Sequence, residues 1–89
     1  MNNKFNKQSD GNAGVSFPLN LASPGERVQV VLIRGGASLK ERLLSIGIQV
    51  ADLIKVIQSR EKGAVLVIKD ENRFMLGGGM ARKIYVRKE

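Results

Sequence analysis

The side chains best able to move a proton or hold a cation are six carboxylates: Glu26, Glu41, Asp52, Glu61, Asp70 and Glu71. Two of them close together could act as general acid and base, and a cluster could hold a hard divalent cation. Each, however, falls at a turn or on the exposed side of a helix in the pattern described below, where carboxylates are ordinarily solvated. The chain has no cysteine and no histidine. Thiolate nucleophiles, thiolate and imidazole metal ligands and imidazole bases are therefore all missing. No serine or lysine has an evident base partner. The expectation is a protein that is not an enzyme, with no catalytic residue, no cofactor and no transition-metal site.

Glycine offers a second kind of chemistry, the cradling of phosphate. In "RGGASLK", Arg34 to Lys40, glycines precede a helix start with a lysine nearby, but the spacing is not that of a G-x-x-x-x-G-K-[ST] phosphate loop. In "LGGGMARK", Gly77, Gly78 and Gly79 follow one strand, and the next begins near Lys83. That gap has no room for the crossover helix of a βαβ unit. The three glycines are read instead as a one-turn corner, with Met80 and Ala81 dropping into the end of a small barrel.

Charge bears on partners. Fifteen Lys and Arg against eight Asp and Glu leave a net charge of +7, a balance that draws nucleic acid, anionic lipid or an acidic protein surface. "KIYVRK" presents Lys83, Tyr85, Arg87 and Lys88 on one strand, but a single outward tyrosine is a thin platform for stacking bases. The longest glycine-free apolar run, "AVLVI", Ala64 to Ile68, is far short of the roughly 20 residues of a spanning helix. Neither that run nor the N-terminus suggests a membrane span or secretory leader. The expected setting is cytoplasmic, with no membrane insertion.

The elements that must position these groups are short. Residues 1–16 are rich in Asn, Lys and Gly without a hydrophobic period and are expected to form a disordered tail; the domain is expected over 17–89. Ser23-Pro24-Gly25-Glu26 reads as a turn. The strand after it, from Arg27 to about Arg34, places Val28, Val30 and Leu32 on one face. "ASLKERLLSIGIQV" is the one convincing helix, near Ser38 to Ile46. Ser38 and Glu41 have the spacing of a capping box. Leu39, Leu43 and Ile46 form a buried stripe. Gly47 is placed as the left-handed stop, with Ile48 folding back onto Leu43. Strands then read over Leu53–Gln58, Ala64–Lys69 and Arg73–Leu76. The last strand turns Ile84 and Val86 inward. The sum is a mostly β fold: a small antiparallel barrel of about five strands with one short α-helix.

Two apolar residues fall off this core pattern, and each reads either as the rim of a broad core face, the ordinary case, or as a partly exposed contact for a partner. Leu44 lies about 100° around the helix from Leu43, beside Lys40 and Glu41, and Met75 points outward by alternation. Lys40, Leu44, Met75 and Tyr85 are the candidate partner contacts. An exposed leucine with a charged neighbour suits an apolar anchor with a polar rim.

The stretches "PLNLASPGERVQVV", "LKERLLSIGI" and above all "LGGGMARKIYV" resemble the ferrous iron transport protein A (FeoA) family over about Phe17 to Arg87. The positions that carry the resemblance are Leu43, Leu44, Ile46 and Gly47, then Ala81, Ile84 and Val86. The chain departs from the family at Val50-Ala51, where a Pro-Gly pair is usual. The resemblance implies an SH3-like barrel. It also implies an accessory role at the inner face of the cell membrane, with the ferrous iron transporter that carries a GTP-binding domain as partner and no nucleic acid. The same barrel occurs as a regulatory domain of iron-dependent repressors, so a basic barrel that binds nucleic acid or serves such a regulator is the alternative.

Overall fold

The structure is a computed structural model that describes residues 15–89. The tail expected over residues 1–16 lies outside the described residues, apart from Val15 and Ser16, which are exposed and belong to no element. Six strands form one antiparallel sheet: β1 (Phe17–Pro18), β2 (Arg27–Ile33), β3 (Leu53–Ser59), β4 (Val65–Lys69), β5 (Asn72–Leu76) and β6 (Ile84–Lys88). Their order across the sheet is β1-β6-β2-β3-β4-β5. Five strands were expected from the sequence. The sixth is the two-residue β1, too short to show alternation, and its proline is tolerated because β1 lies at the sheet edge.

Alternation places the core. Val28 and Val30 of β2, Ile54 and Val56 of β3, Val65 and Val67 of β4, Leu76 of β5, and Ile84 and Val86 of β6 are buried in one cluster. Leu43 and Ile48 close it from the helix side, and Leu19 and Ala81 close it from the short turns. Each fully buried aliphatic side chain of this size contributes about 1.5–3 kcal/mol relative to exposure.

The ladder is irregular twice, at Ile57 of β3, where Val56 pairs with Val67 and Gln58 with Leu66, and in β2, where the break bears on the surface described below. Val30 pairs with Val86 and Leu32 with Tyr85, so Val31 is an extra residue in the ladder. The bulge shifts the phase by one. Ile33 therefore enters the core and Leu32 turns out, 49% exposed. This corrects the placement of Leu32 on the face of Val28 and Val30.

The helix α1 (Ala37–Ser45) starts one residue earlier than expected, with extended Gly36 as its N-cap and no side-chain cap. The capping box of Ser38 and Glu41 is thus not formed. Ser38 is already the second helical residue, and Glu41 is exposed. The C-terminal end follows the expectation. Gly47 has φ +98°, its N–H donates to the Leu44 carbonyl at 2.9 Å, and the Ile48 N–H donates to the Leu43 carbonyl at 2.8 Å. These two bonds define a Schellman ending. Ile46, expected on the buried stripe, is 38% exposed. It occupies the C-cap, where the backbone has left the helix, and Ile48 fills the core in its place.

The glycine corner is a single helical turn, α2 (Gly78–Ala81), with Gly77 as N-cap. Ala81 is fully buried and Met80 packs against the core. A Cβ on Gly78 would lie 1.9 Å from the carbonyl oxygen of Lys62, whereas Gly77 and Gly79 have open space. The middle glycine is thus required by a close backbone approach, not by flexibility.

Candidate functional site

The end of α1, the bulged part of β2 and the turn before β3 together frame a shallow apolar groove of about 340 Å³. Ile33 and Ile48, both core residues, form its floor. Leu32, Leu44 and Val50 stand around it, 49%, 57% and 52% exposed, and Lys40 sits on its rim. Helical geometry produces this arrangement. With Leu43 fixed in the core, Leu44 must project sideways toward β2 or solvent, and the bulge turns Leu32 to meet the same groove.

Val50 stands in a hydrogen-bonded turn. It heads a turn in which the Asp52 N–H donates to the Gln49 carbonyl at 3.1 Å, while the Gln49 N–H donates to Asp52 Oδ2 at 2.8 Å. Ala51 adopts φ +86° in this turn and donates its N–H to the Val30 carbonyl at 2.7 Å. A type II turn needs such a left-handed residue at its third position. The turn therefore keeps the geometry suited to Pro-Gly although the residues are Val50-Ala51. Lys69 Nζ pairs with Asp52 Oδ2 at 2.9 Å and donates to the Gly47 carbonyl, tying the turn and the helix end to β4. A groove rim fixed in this way loses little entropy when a partner settles on it.

The four candidate contact residues divide. Lys40 and Leu44 belong to the groove. Tyr85 adjoins it as the cross-strand partner of Leu32, half-buried, with the Arg34 guanidinium 5.7 Å from its ring centroid. Met75, 48% exposed, lies on β5 opposite Leu66, at the other end of the sheet order from β6. It does not line the groove. Sequence reasoning missed Leu32 and Val50. Leu32 was hidden by the bulge, but Val50, a bulky apolar residue inside a turn, was a readable signal.

Among the described residues the carboxylates are either paired with cations or exposed. Glu26 pairs with Lys88 at 3.0 Å, Asp52 with Lys69 at 2.9 Å and Glu89 with Arg27 at 2.9 Å. The Ser23 N–H, donating to Glu26 Oε1 at 2.7 Å, and the Lys88 ammonium hold the Glu26 carboxyl below its ordinary value. Glu41, Glu61, Asp70 and Glu71 are exposed. No three acidic side chains gather at metal-binding spacing among the described residues. No helix of the described residues is long and apolar enough to cross a membrane.

Comparison with known proteins bears on the family and the fold. The family model of the FeoA domain matches residues 17–88. A Methanocaldococcus jannaschii protein named as an Fe(2+) transport protein A is 36% identical over 70 residues, covering 79% of this chain and 84% of that protein. The crystal structure of an iron uptake regulatory protein, FeoA, superposes with a TM-score of 0.78 at 32% identity, covering 84% of this chain and all of that one. A manganese-dependent transcriptional repressor in complex with manganese superposes with a TM-score of 0.77 at 25% identity. The match covers 83% of this chain but only 37% of the repressor.

Proposed function

The chain belongs to the FeoA-domain family, and from that premise we propose that it is a non-catalytic accessory protein of ferrous iron uptake. It binds the membrane Fe²⁺ transporter, at the GTP-binding side facing the cytoplasm, and modulates it by protein–protein contact. The observation that carries this reading is the groove: three large apolar side chains, Leu32, Leu44 and Val50, each about half exposed around one concavity with Lys40 on its rim. Apolar anchors supply most of the energy of a protein–protein contact, and rim charges chiefly steer encounter. Iron enters as the transporter's cargo, so an effect of iron on this protein is expected to act through the partner.

The test compares two adjacent leucines. Leu44→Ala should leave thermal stability nearly unchanged and weaken binding to the detergent-solubilised transporter by about 1–2 kcal/mol. Leu43→Ala should lower stability by roughly 2–5 kcal/mol, because it opens a cavity at a fully buried position. A Leu44→Ala protein that keeps full affinity would remove the groove as the contact. Salt separates this reading from nucleic-acid binding. An apolar contact should persist at moderate salt, where release of counterions makes nucleic-acid binding collapse.

A further inference from the structure

A second groove, of about 360 Å³, opens between α1 and α2 on a different side of the helix from the apolar one. Its floor is Leu39 and Met80, both half-buried against the core. Its walls carry Ser38 and Arg42 from α1 and Arg82 and Lys83 from the end of α2. We infer that this groove is a binding site for phosphate groups, as carried by an anionic lipid headgroup or by a small soluble phosphate compound.

Three cations converge here and no carboxylate lines the groove. The ion pairs among the described residues engage Arg27, Lys69 and Lys88, leaving Arg42, Arg82 and Lys83 without a carboxylate partner. Glu41 precedes Arg42 in sequence, yet adjacent helical residues point about 100° apart, and Glu41 does not line the groove. Ser38 and Arg42 are four residues apart on α1 and so share one face. Because Gly36 is the N-cap, the Ser38 hydroxyl is not engaged in capping the helix.

The cations on the other wall stand on fixed backbone. The Arg82 N–H donates to the Gly78 carbonyl at 3.1 Å, the Lys83 N–H donates to the Met80 carbonyl at 2.9 Å, and the Lys83 carbonyl accepts from the Arg34 N–H at 2.7 Å. Guanidinium forks match the oxygen geometry of phosphate, and lysine adds a point charge. Nucleic acid is the less suitable source of phosphate. No aromatic side chain lines this groove, so bases have nothing to stack on there.

The experiment uses the full chain with two probes. Sodium pyrophosphate is titrated while backbone amides are followed by NMR, and flotation is measured with phosphatidylcholine vesicles with and without phosphatidylglycerol. The Arg42→Gln/Arg82→Gln variant is compared with Arg60→Gln/Arg73→Gln, which removes the same charge elsewhere. Saturable shifts confined to residues 38–42 and 79–83, with a Kd raised at least about tenfold in the groove variant alone, support the site; loss of one of the two guanidinium contacts is already worth about that factor. Pyrophosphate binding without flotation assigns a soluble phosphate. Flotation only with phosphatidylglycerol, lost in the groove variant alone, assigns the headgroup. The inference is overturned if neither probe binds or if both variants weaken equally. Should circular dichroism show the groove variant unfolded, Lys83→Gln is read by the same criteria.

Discussion

Two regions return the chain from helix to sheet, and they use glycine for different physical reasons. In the link from α1 to β3, Gly47 takes φ +98° and nothing lies within 4 Å of where its Cβ would stand. Conformation is what that position demands. In the corner before β6, Gly78 has no positive φ, but its Cβ would overlap the Lys62 carbonyl oxygen at 1.9 Å. Space is what that position demands. The first requirement is local to a helix end. The second depends on the turn at Glu61–Gly63, distant in sequence, where Lys62 itself adopts φ +65°. A glycine imposed by space therefore marks a tertiary contact, and one imposed by φ marks a local stop.

Substitution separates the two. Gly78→Ala should cost the most, about 3 kcal/mol, the upper end for overpacking, because the obstructing atom is backbone and cannot rotate away. Chemical denaturation measures it. Gly78→Asn should be no better. Gly47→Ala should cost about 1–2 kcal/mol, the penalty for an L-residue in the left-handed region. Gly47→Asn should recover part of that loss, since asparagine visits this region more readily. If asparagine rescues both positions equally, the distinction between space and conformation fails.

What was legible in the sequence follows the same division. The Schellman ending could be read because Leu43, Leu44, Gly47 and Ile48 are neighbours whose bonds form among themselves. Helical period put Leu44 off the buried stripe once Leu43 was assigned to the core, but whether it was core rim or exposed surface depends on what β2 presents beside it, and it is 57% exposed. The capping box was misread because its spacing does not say which residue is the N-cap, and Gly36 took that place. The bulge at Val31 could not be read, since an extra residue in β2 is defined only against β6. The Leu32 side of the groove was lost with it. Met75 and Tyr85 were grouped with Leu44 because outward direction is visible in an alternating pattern, while strand order, which puts β5 and β6 apart, is not.

Ala51 tests the conformational half from the opposite direction. It sits four residues beyond Gly47 in the same left-handed region, φ +86°, but carries a Cβ. Ala51→Gly removes that strain and adds freedom to the unfolded chain, and the two effects oppose one another. Relief should dominate, raising stability by about 1 kcal/mol or less. A thermal melt at neutral pH is sufficient to see it. A lower melting temperature would mean that the turn holding Val50 in the groove rim is not strained at Ala51.

The smallest effect is expected one residue from the largest. Gly79 lies inside α2 beside Gly78, has no positive φ, and has open space where a Cβ would be. Neither demand applies to it. Alanine there should fit the helical turn and narrow the unfolded ensemble, stabilising the domain by about 0.5 kcal/mol. The gain is small because α2 is one turn long and its helical preference counts over few residues. Side-by-side denaturation of Gly78→Ala and Gly79→Ala gives the sharpest reading, with the same atoms added at neighbouring positions of one corner. Opposite signs would place the requirement at the approach of Gly78 to Lys62. Equal losses would mean instead that the corner needs the backbone freedom of all its glycines, and the approach of Lys62 would no longer explain why the middle position is glycine.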